Sequence, residues 1–250
     1  MTARWSGTPS DDVGEILALG RTEVTTIFVS MSARHSKGDD LEYVEWHCYD
    51  HRPEQFRLPG LRGALRLVST PACRAARIVS DERYDAVDHV MTYLFADVAA
   101  LSPFYELGRA LYRAGRMPIR LPPVERAVYE LSGMSASPRV KVGADVLPWW
   151  PSTGVLVLVE RGSAEASGLT DVPGVGGVWW AAGVQVDEPA SVEDIAELQL
   201  TYCFLDGDPA GTAEQLRPAL EARWTDMGVA PLFAAPFHTL VPWDPGRYLP

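Results

Sequence analysis

Two stretches of this 250-residue chain repeat one another, and that repeat limits the fold more than any figure of composition. Leu58-Pro59-Gly60-Leu61-Arg62-Gly63-Ala64-Leu65 matches Val172-Pro173-Gly174-Val175-Gly176-Gly177-Val178-Trp179. Both read apolar-Pro-Gly-apolar-x-Gly-apolar-apolar, and a Pro-Gly pair marks a tight turn into an extended segment. Downstream, Val90-Met91-Thr92-Tyr93-Leu94-Phe95-Ala96-Asp97 is answered by Leu198-Gln199-Leu200-Thr201-Tyr202-Cys203-Phe204-Leu205-Asp206. Upstream, Thr25-Thr26-Ile27-Phe28-Val29-Ser30 is answered by Thr153-Gly154-Val155-Leu156-Val157-Leu158. These are short β-rich runs, and a chain that repeats them in one order folds as two like halves.

Helical patterns lie between the strands. Asp39 to Arg57 starts acidic and carries Leu41, Val44, Trp46 and Cys48, so it reads as an amphipathic helix capped by Asp39 or Asp40. Pro103 to Arg116 places Phe104, Leu107, Leu111 and Tyr112 at helical spacing, and Thr212 to Trp224 does the same with Leu216, Leu220 and Trp224. A fourth strand follows each, Arg126 to Leu131 and Leu232 to Leu240. Each half therefore reads strand, helix, strand, strand, helix, strand, the ferredoxin-like βαββαβ order. In the second half Arg161 to Asp171 leaves room for one turn in place of the first helix. The expected division is residues 1–133, a linker over 134–152 rich in Ser, Pro and Gly, and residues 153–250. The fold class is α+β, two fused ferredoxin-like halves whose sheets pack face to face as a pseudo-dimer.

Charge narrows the partners. With 22 Lys+Arg against 33 Asp+Glu, the net charge of −11 argues against nucleic acid and against anionic membrane surfaces. Three widely spaced cysteines, Cys48, Cys73 and Cys203, give neither a disulfide framework nor a C-x-x-C pair. The polar start, Met1 to Asp12, carries no apolar secretory segment, and no apolar run is long enough to span a bilayer. A cytoplasmic protein is the expectation.

Glu45-Trp46-His47-Cys48-Tyr49-Asp50-His51-Arg52-Pro53-Glu54 followed by Pro59-Gly60 resembles the signature of the EthD-like branch of the dimeric α/β-barrel superfamily. That branch carries a Trp, then an acidic-His-x-Pro-Glu cluster, then a Pro-Gly before the second strand. The second half keeps only Pro173-Gly174. The resemblance implies a dimeric-α/β-barrel-like pseudo-dimer, a small and mostly apolar organic ligand, and a single family-type site in the first half. It chooses no chemistry by itself.

His47 and His51 stand four apart, so on a helix they share a face, with Tyr43 one turn earlier. Imidazole titrates near neutrality and suits proton transfer, so His51, His47 and Tyr43 are the candidate catalytic residues. The structural alternative has His51 capping the helix end beside Pro53. A metal site would need a third ligand; Glu54 is the nearest, beyond a proline expected to break the helix, and no metal is expected. Heme would need an axial histidine on a large cavity, for which His89 or His238 could serve; it stays a minor alternative to a cofactor-free site. The chain holds 8 Trp, 9 Tyr and 7 Phe, enough to wall a flat ligand. Trp46, Tyr93, Trp179 and Tyr202 are the candidate substrate-binding residues, with Trp179 and Trp180 on opposite faces of their strand. Thr70 to His89 is a long insertion that reads equally as a lid or as a solvated excursion or oligomer contact. Gly174 to Gly177 opens a strand and not a helix, so no phosphate loop is expected. The expected function is a cofactor-independent enzyme of cyclase, isomerase, dehydratase or monooxygenase type on an aromatic or polycyclic substrate. The rivals are a non-catalytic ligand-binding protein and a heme enzyme. A homodimer is compatible with either.

Overall fold

The computed structural model describes residues 23–241 except 188–191 and 193, and residues 243–248 except 245. The polar start over 1–12 lies outside these. The first half contains β1 (Thr26–Ser32), α1 (Asp40–Trp46), a π-helical turn (His47–His51) and α2 (Arg52–Gln55). It continues through β2 (Leu61–Val68), α3 (Pro71–Ala75), β3 (Val79–Ser80), β4 (His89–Phe95), α4 (Leu101–Arg113) and β5 (Pro123–Ala136). The second half contains β6 (Gly154–Arg161), a 3-10 turn (Ser167–Asp171), β7 (Val175–Gly183), β8 (Leu198–Leu205), α5 (Pro209–Met227) and β9 (Ala230–Thr239). Both halves thus keep the βαββαβ order, and the first helix of the second half is reduced to the turn at Ser167–Asp171.

The sheets do not simply stack. The strand order β2-β4-β1-β5-β7-β8-β6-β9 returns to its start through a β2–β9 pairing, so eight antiparallel strands close into a barrel. The seams are β5–β7, with Met134 opposite Trp179, and β2–β9, with Val68 opposite His238. Closure removes every edge except the short β3 laid on β9. The segment expected as a linker begins inside β5, whose last residues Met134 to Ala136 form one of these seams.

An eight-stranded barrel is just wide enough for side chains to fill it. Alternate residues do so: Ile27, Val29 and Met31 from β1, Val155, Val157 and Val159 from β6, Tyr202 and Phe204 from β8, Phe233 and Phe237 from β9. The insertion after β2 closes one barrel end. Its Tyr84 is fully buried, stacks on Phe233 and donates to the Glu125 carboxylate at 2.6 Å. Arg83 pairs with the same carboxylate at 2.9 Å.

Helices cover the outer faces unequally. In the second half Ala213, Leu216 and Leu220 of α5 pack directly on Leu156, Leu158, Cys203 and Leu205. Glu160 draws α5 down further, accepting from Arg223 at 3.2 Å and from the Trp224 indole at 2.7 Å. In the first half α4 reaches the sheet through Leu101 and Phe104, and a space remains beside it. The repeated Pro-Gly turns explain how the helices come so close. A Cβ on Gly60 would collide with Ala100 at the start of α4, and one on Gly174 would meet Thr212 Oγ1 of α5 at 2.7 Å.

Candidate functional site

The space on the first half is a cavity of about 390 Å³ between the outer face of the β1–β4–β5 sheet, the helical segment over 40–55 and α4. Strand alternation supplies its floor: Phe28, Ser30 and Ser32 from β1, Met91 and Tyr93 from β4, Arg126 from β5. Tyr43, Trp46, His47, His51 and Gln55 form one wall; Phe104, Tyr105 and Tyr112 of α4 form the other.

Pro53 does not break the helix. Its ring lacks an N–H and crowds the carbonyl of Tyr49, four residues back. The backbone widens to a π-turn over His47–His51 and continues through Arg52–Gln55. Such turns are frequent at functional sites. His51 therefore sits inside a continuous helical segment and caps nothing. Its ring stacks on Trp46 at 4.9 Å between centroids and lies 5.6 Å from the His47 ring. The Trp46 indole is fixed in turn by donating to the carbonyl of Arg116 at 3.0 Å.

Both histidines are buried and held at Nε2. His47 Nε2 shares a 2.9 Å hydrogen bond with the Tyr93 hydroxyl, and Gln55 Nε2 donates to His51 Nε2 at 3.0 Å. The Nδ1 atoms of both rings are buried without a partner. Burial, with Arg66, His51 and Arg52 adding to it, holds His47 well below the usual imidazole range. Burial lowers His51 to about 4 against the opposing pull of Asp50. Both rings are uncharged at neutral pH. Tyr43 is anchored differently. Its hydroxyl accepts from Arg66 Nη2 at 3.1 Å, and the guanidinium carbon lies 5.1 Å from the ring centroid. That leaves the Tyr43 O–H as a donor, with a positive charge behind it.

Of the seven residues expected at the site, five converge here: His51, His47, Tyr43, Trp46 and Tyr93. Trp179 and Tyr202 do not. They point into the barrel, where the Trp179 indole donates to the Ala144 carbonyl at 2.7 Å and Tyr202 bonds Thr92 at 2.6 Å. Trp180 takes the outer face, as strand alternation requires. The insertion over 70–89 contributes nothing to the cavity lining. Gln55 and Arg66 escaped the sequence reading. Gln55 stands one helical turn after His51, and Arg66 interrupts the apolar Ala64-Leu65 and Leu67-Val68 of β2; both signals are on the chain.

The two histidines named for heme lie away from this cavity. His89 is fully buried, bonds Asp40 at 2.9 Å and lies outside the cavity lining. His238 stacks on Tyr248 at 4.1 Å, also away from the cavity. The matching face of the second half is filled by α5. His47 and His51 do face the cavity, with their Nε2 atoms hydrogen-bonded to Tyr93 and Gln55 and their Nδ1 atoms buried without a partner. Glu54 is held by Arg57 and Arg116, and no group of three metal-ligating side chains gathers among the described residues. No helix among them is long and apolar enough to cross a membrane.

No family model matches the chain, and no curated protein matches it. Solved structures do. A candidate chlorite dismutase aligns over 91% of this chain and 100% of its own, at 11% identity and a TM-score of 0.53. A dye-decolorizing peroxidase from Bacteroides thetaiotaomicron VPI-5482 aligns over 90% of this chain and 96% of its own, at 8% identity and a TM-score of 0.53. At such identities the likeness speaks for architecture. The chain has the dimeric α/β-barrel fold of these neighbours, with both ferredoxin-like halves supplied by one polypeptide and a side cavity described on the first.

Proposed function

We propose that the protein is a cofactor-independent enzyme acting by proton transfer on an aromatic or polycyclic small molecule bound in the cavity of the first half. The observation that carries this is the convergence of two uncharged imidazoles and a charge-backed tyrosine hydroxyl in one apolar, aromatic-walled space. The flat walls formed by Phe28, Trp46 and Phe104 suit a planar ring system. His51 takes a proton from the substrate at Nε2, once the substrate displaces the Gln55 amide. Tyr43 donates its hydroxyl hydrogen bond to the oxygen on which negative charge grows, and Arg66 stabilises that charge through it. His47 and Tyr93 hold each other and fix the floor. The EthD-like signature at Trp46 to Glu54 agrees with a site at this place. Both structural neighbours are named as enzymes, which agrees with an enzyme here.

The test needs no knowledge of the physiological reaction. Exchange of the acidic C–H protons of 2-tetralone in D2O is followed by NMR. The wild-type protein should speed exchange over buffer, and His51→Gln should lose about 100-fold of that gain while keeping its melting temperature. Exchange at the buffer rate across a panel of bicyclic ketones and phenols would refute the proposal.

One observation favours a second reading. A His51 value of about 4 makes a weak base at neutral pH, and both Nε2 atoms already have partners. The same cavity then retains a ligand without turnover. Saturable binding of 2-tetralone without exchange would select it.

A further inference from the structure

We infer that the ligand of this cavity is an anion: a planar aromatic acid whose ring lies on the aromatic walls and whose carboxylate faces the arginines of the lining. The inference rests on the proposed aromatic-ligand site and names the class of ligand within it.

The first observation is the sign of the lining. Arg109, Arg120 and Arg126 line the cavity, and no Asp or Glu does. The chain as a whole carries −11. An acidic protein that places only positive charge around one cavity concentrates anions there, because the low-dielectric walls focus the field. The second observation is how little neutralises two of those charges, Arg120 and Arg126. Arg126 is exposed and forms no ion pair among the described residues, and Arg120 rests on the Tyr112 ring, 4.6 Å from its centroid, with no carboxylate partner. Two acids of the neighbouring helical segment are engaged elsewhere: Asp50 and Glu54 both pair with Arg116, at 2.5 and 3.2 Å.

A third observation concerns two arginines outside the lining. Arg66 is 2% exposed and Arg52 is 9% exposed, and neither has a carboxylate partner among the described residues. Arg66 Nε and Arg52 Nε are buried without any hydrogen-bond partner. A buried guanidinium is ordinarily paired, since an isolated charge in a poorly solvated place is costly. Two of them close enough to act on His47 leave the cavity in a positive potential that a bound anion would relieve. Phe28, Trp46 and Phe104 take the ring; the lining arginines take the acid group.

The test compares 2-naphthoate with its uncharged isostere 2-naphthamide by titration calorimetry. Naphthoate should bind about tenfold more tightly or better, as charge-assisted hydrogen bonds allow. That preference should shrink as salt is raised from about 20 mM to about 500 mM. The double variant Arg120→Gln, Arg126→Gln should bring the two ligands within about threefold of each other. Lys141→Gln, distant from the cavity lining, should leave the preference intact. Equal binding of the two ligands, or a preference that survives the double variant, would overturn the inference and leave the aromatic site standing. Binding of neither ligand would overturn the aromatic site, and this inference with it.

Discussion

Acid should destabilise this protein through His51, and replacing that residue should relieve the effect. The imidazole falls from its ordinary 6.5 to about 4 because burial disfavours its charged form. A depressed value in the folded state means that the unfolded chain takes the proton first. Stability present above pH 6.5 is then lost as the pH falls, and the loss is complete below about 4. The gap corresponds to about 3 kcal/mol in full and to about 2 kcal/mol at about pH 5. His47, His89 and His238 are shifted the same way, so the total loss in acid exceeds the part due to His51. The variant His51→Gln isolates that part, because an amide can still bond Gln55 and carries no proton to gain. Urea unfolding followed by tryptophan fluorescence at about pH 7.5 and about pH 5 gives the four stabilities required. The wild-type protein should lose about 2 kcal/mol more than the variant over that interval. Equal losses would show that His51 is solvated or charged in the folded state, and the account of a neutral, buried base would fail.

Three further outcomes follow from the same geometry. Tyr84→Phe removes the 2.6 Å donor to the buried Glu125 carboxylate and should cost about 1.5–3 kcal/mol in urea unfolding, with 2-naphthoate affinity unchanged because Tyr84 caps the barrel away from the cavity. Gly174→Ala should cost about 1–3 kcal/mol by the same assay, since φ there is +91° and the new methyl meets Thr212. Ser30→Leu should fill the cavity floor and weaken 2-tetralone and 2-naphthoate binding by about tenfold or more, while the melting temperature holds or rises; calorimetry beside a thermal scan checks both.

The repeat was legible because it has a steric cause. Each Pro-Gly turn lets the following helix approach, at Ala100 in one half and at Thr212 in the other. The His47, His51 and Tyr43 cluster was legible because helical spacing carries over even into a π-turn. The placement of Trp179 and Tyr202 was not legible, and the reason is physical. Every residue of β4 and β8 is buried, and nearly every one of β6 is. In such strands alternation separates two faces without saying which looks into the barrel and which lies under a helix. Trp179 and Tyr202 fell on the barrel side, Tyr93 on the helix side. Barrel closure was hidden for a related reason. The seam between β2 and β9 joins residues far apart in the chain, and nothing local in Val68 or His238 announces their pairing.

Why one half opens and the other does not can be read by laying β1 on β6. Phe28 corresponds to Leu156, Ser30 to Leu158 and Ser32 to Glu160. Leu156 and Leu158 meet Leu216 and Leu220 of α5, and Glu160 clamps α5 through Arg223 and Trp224. On β1 two serines stand where a leucine and the clamp would be, so α4 touches the sheet at Phe104 and leaves room beyond it. The helix with the π-turn, which the second half has lost, then borders that room with its histidines and Tyr43. The second half supplies what a barrel needs: a filled outer face and a rigid partner sheet along both seams. Two copies of one fold thus differ in how their outer faces are covered, and the difference traces to a few side chains on one strand and to one helix kept on one side only.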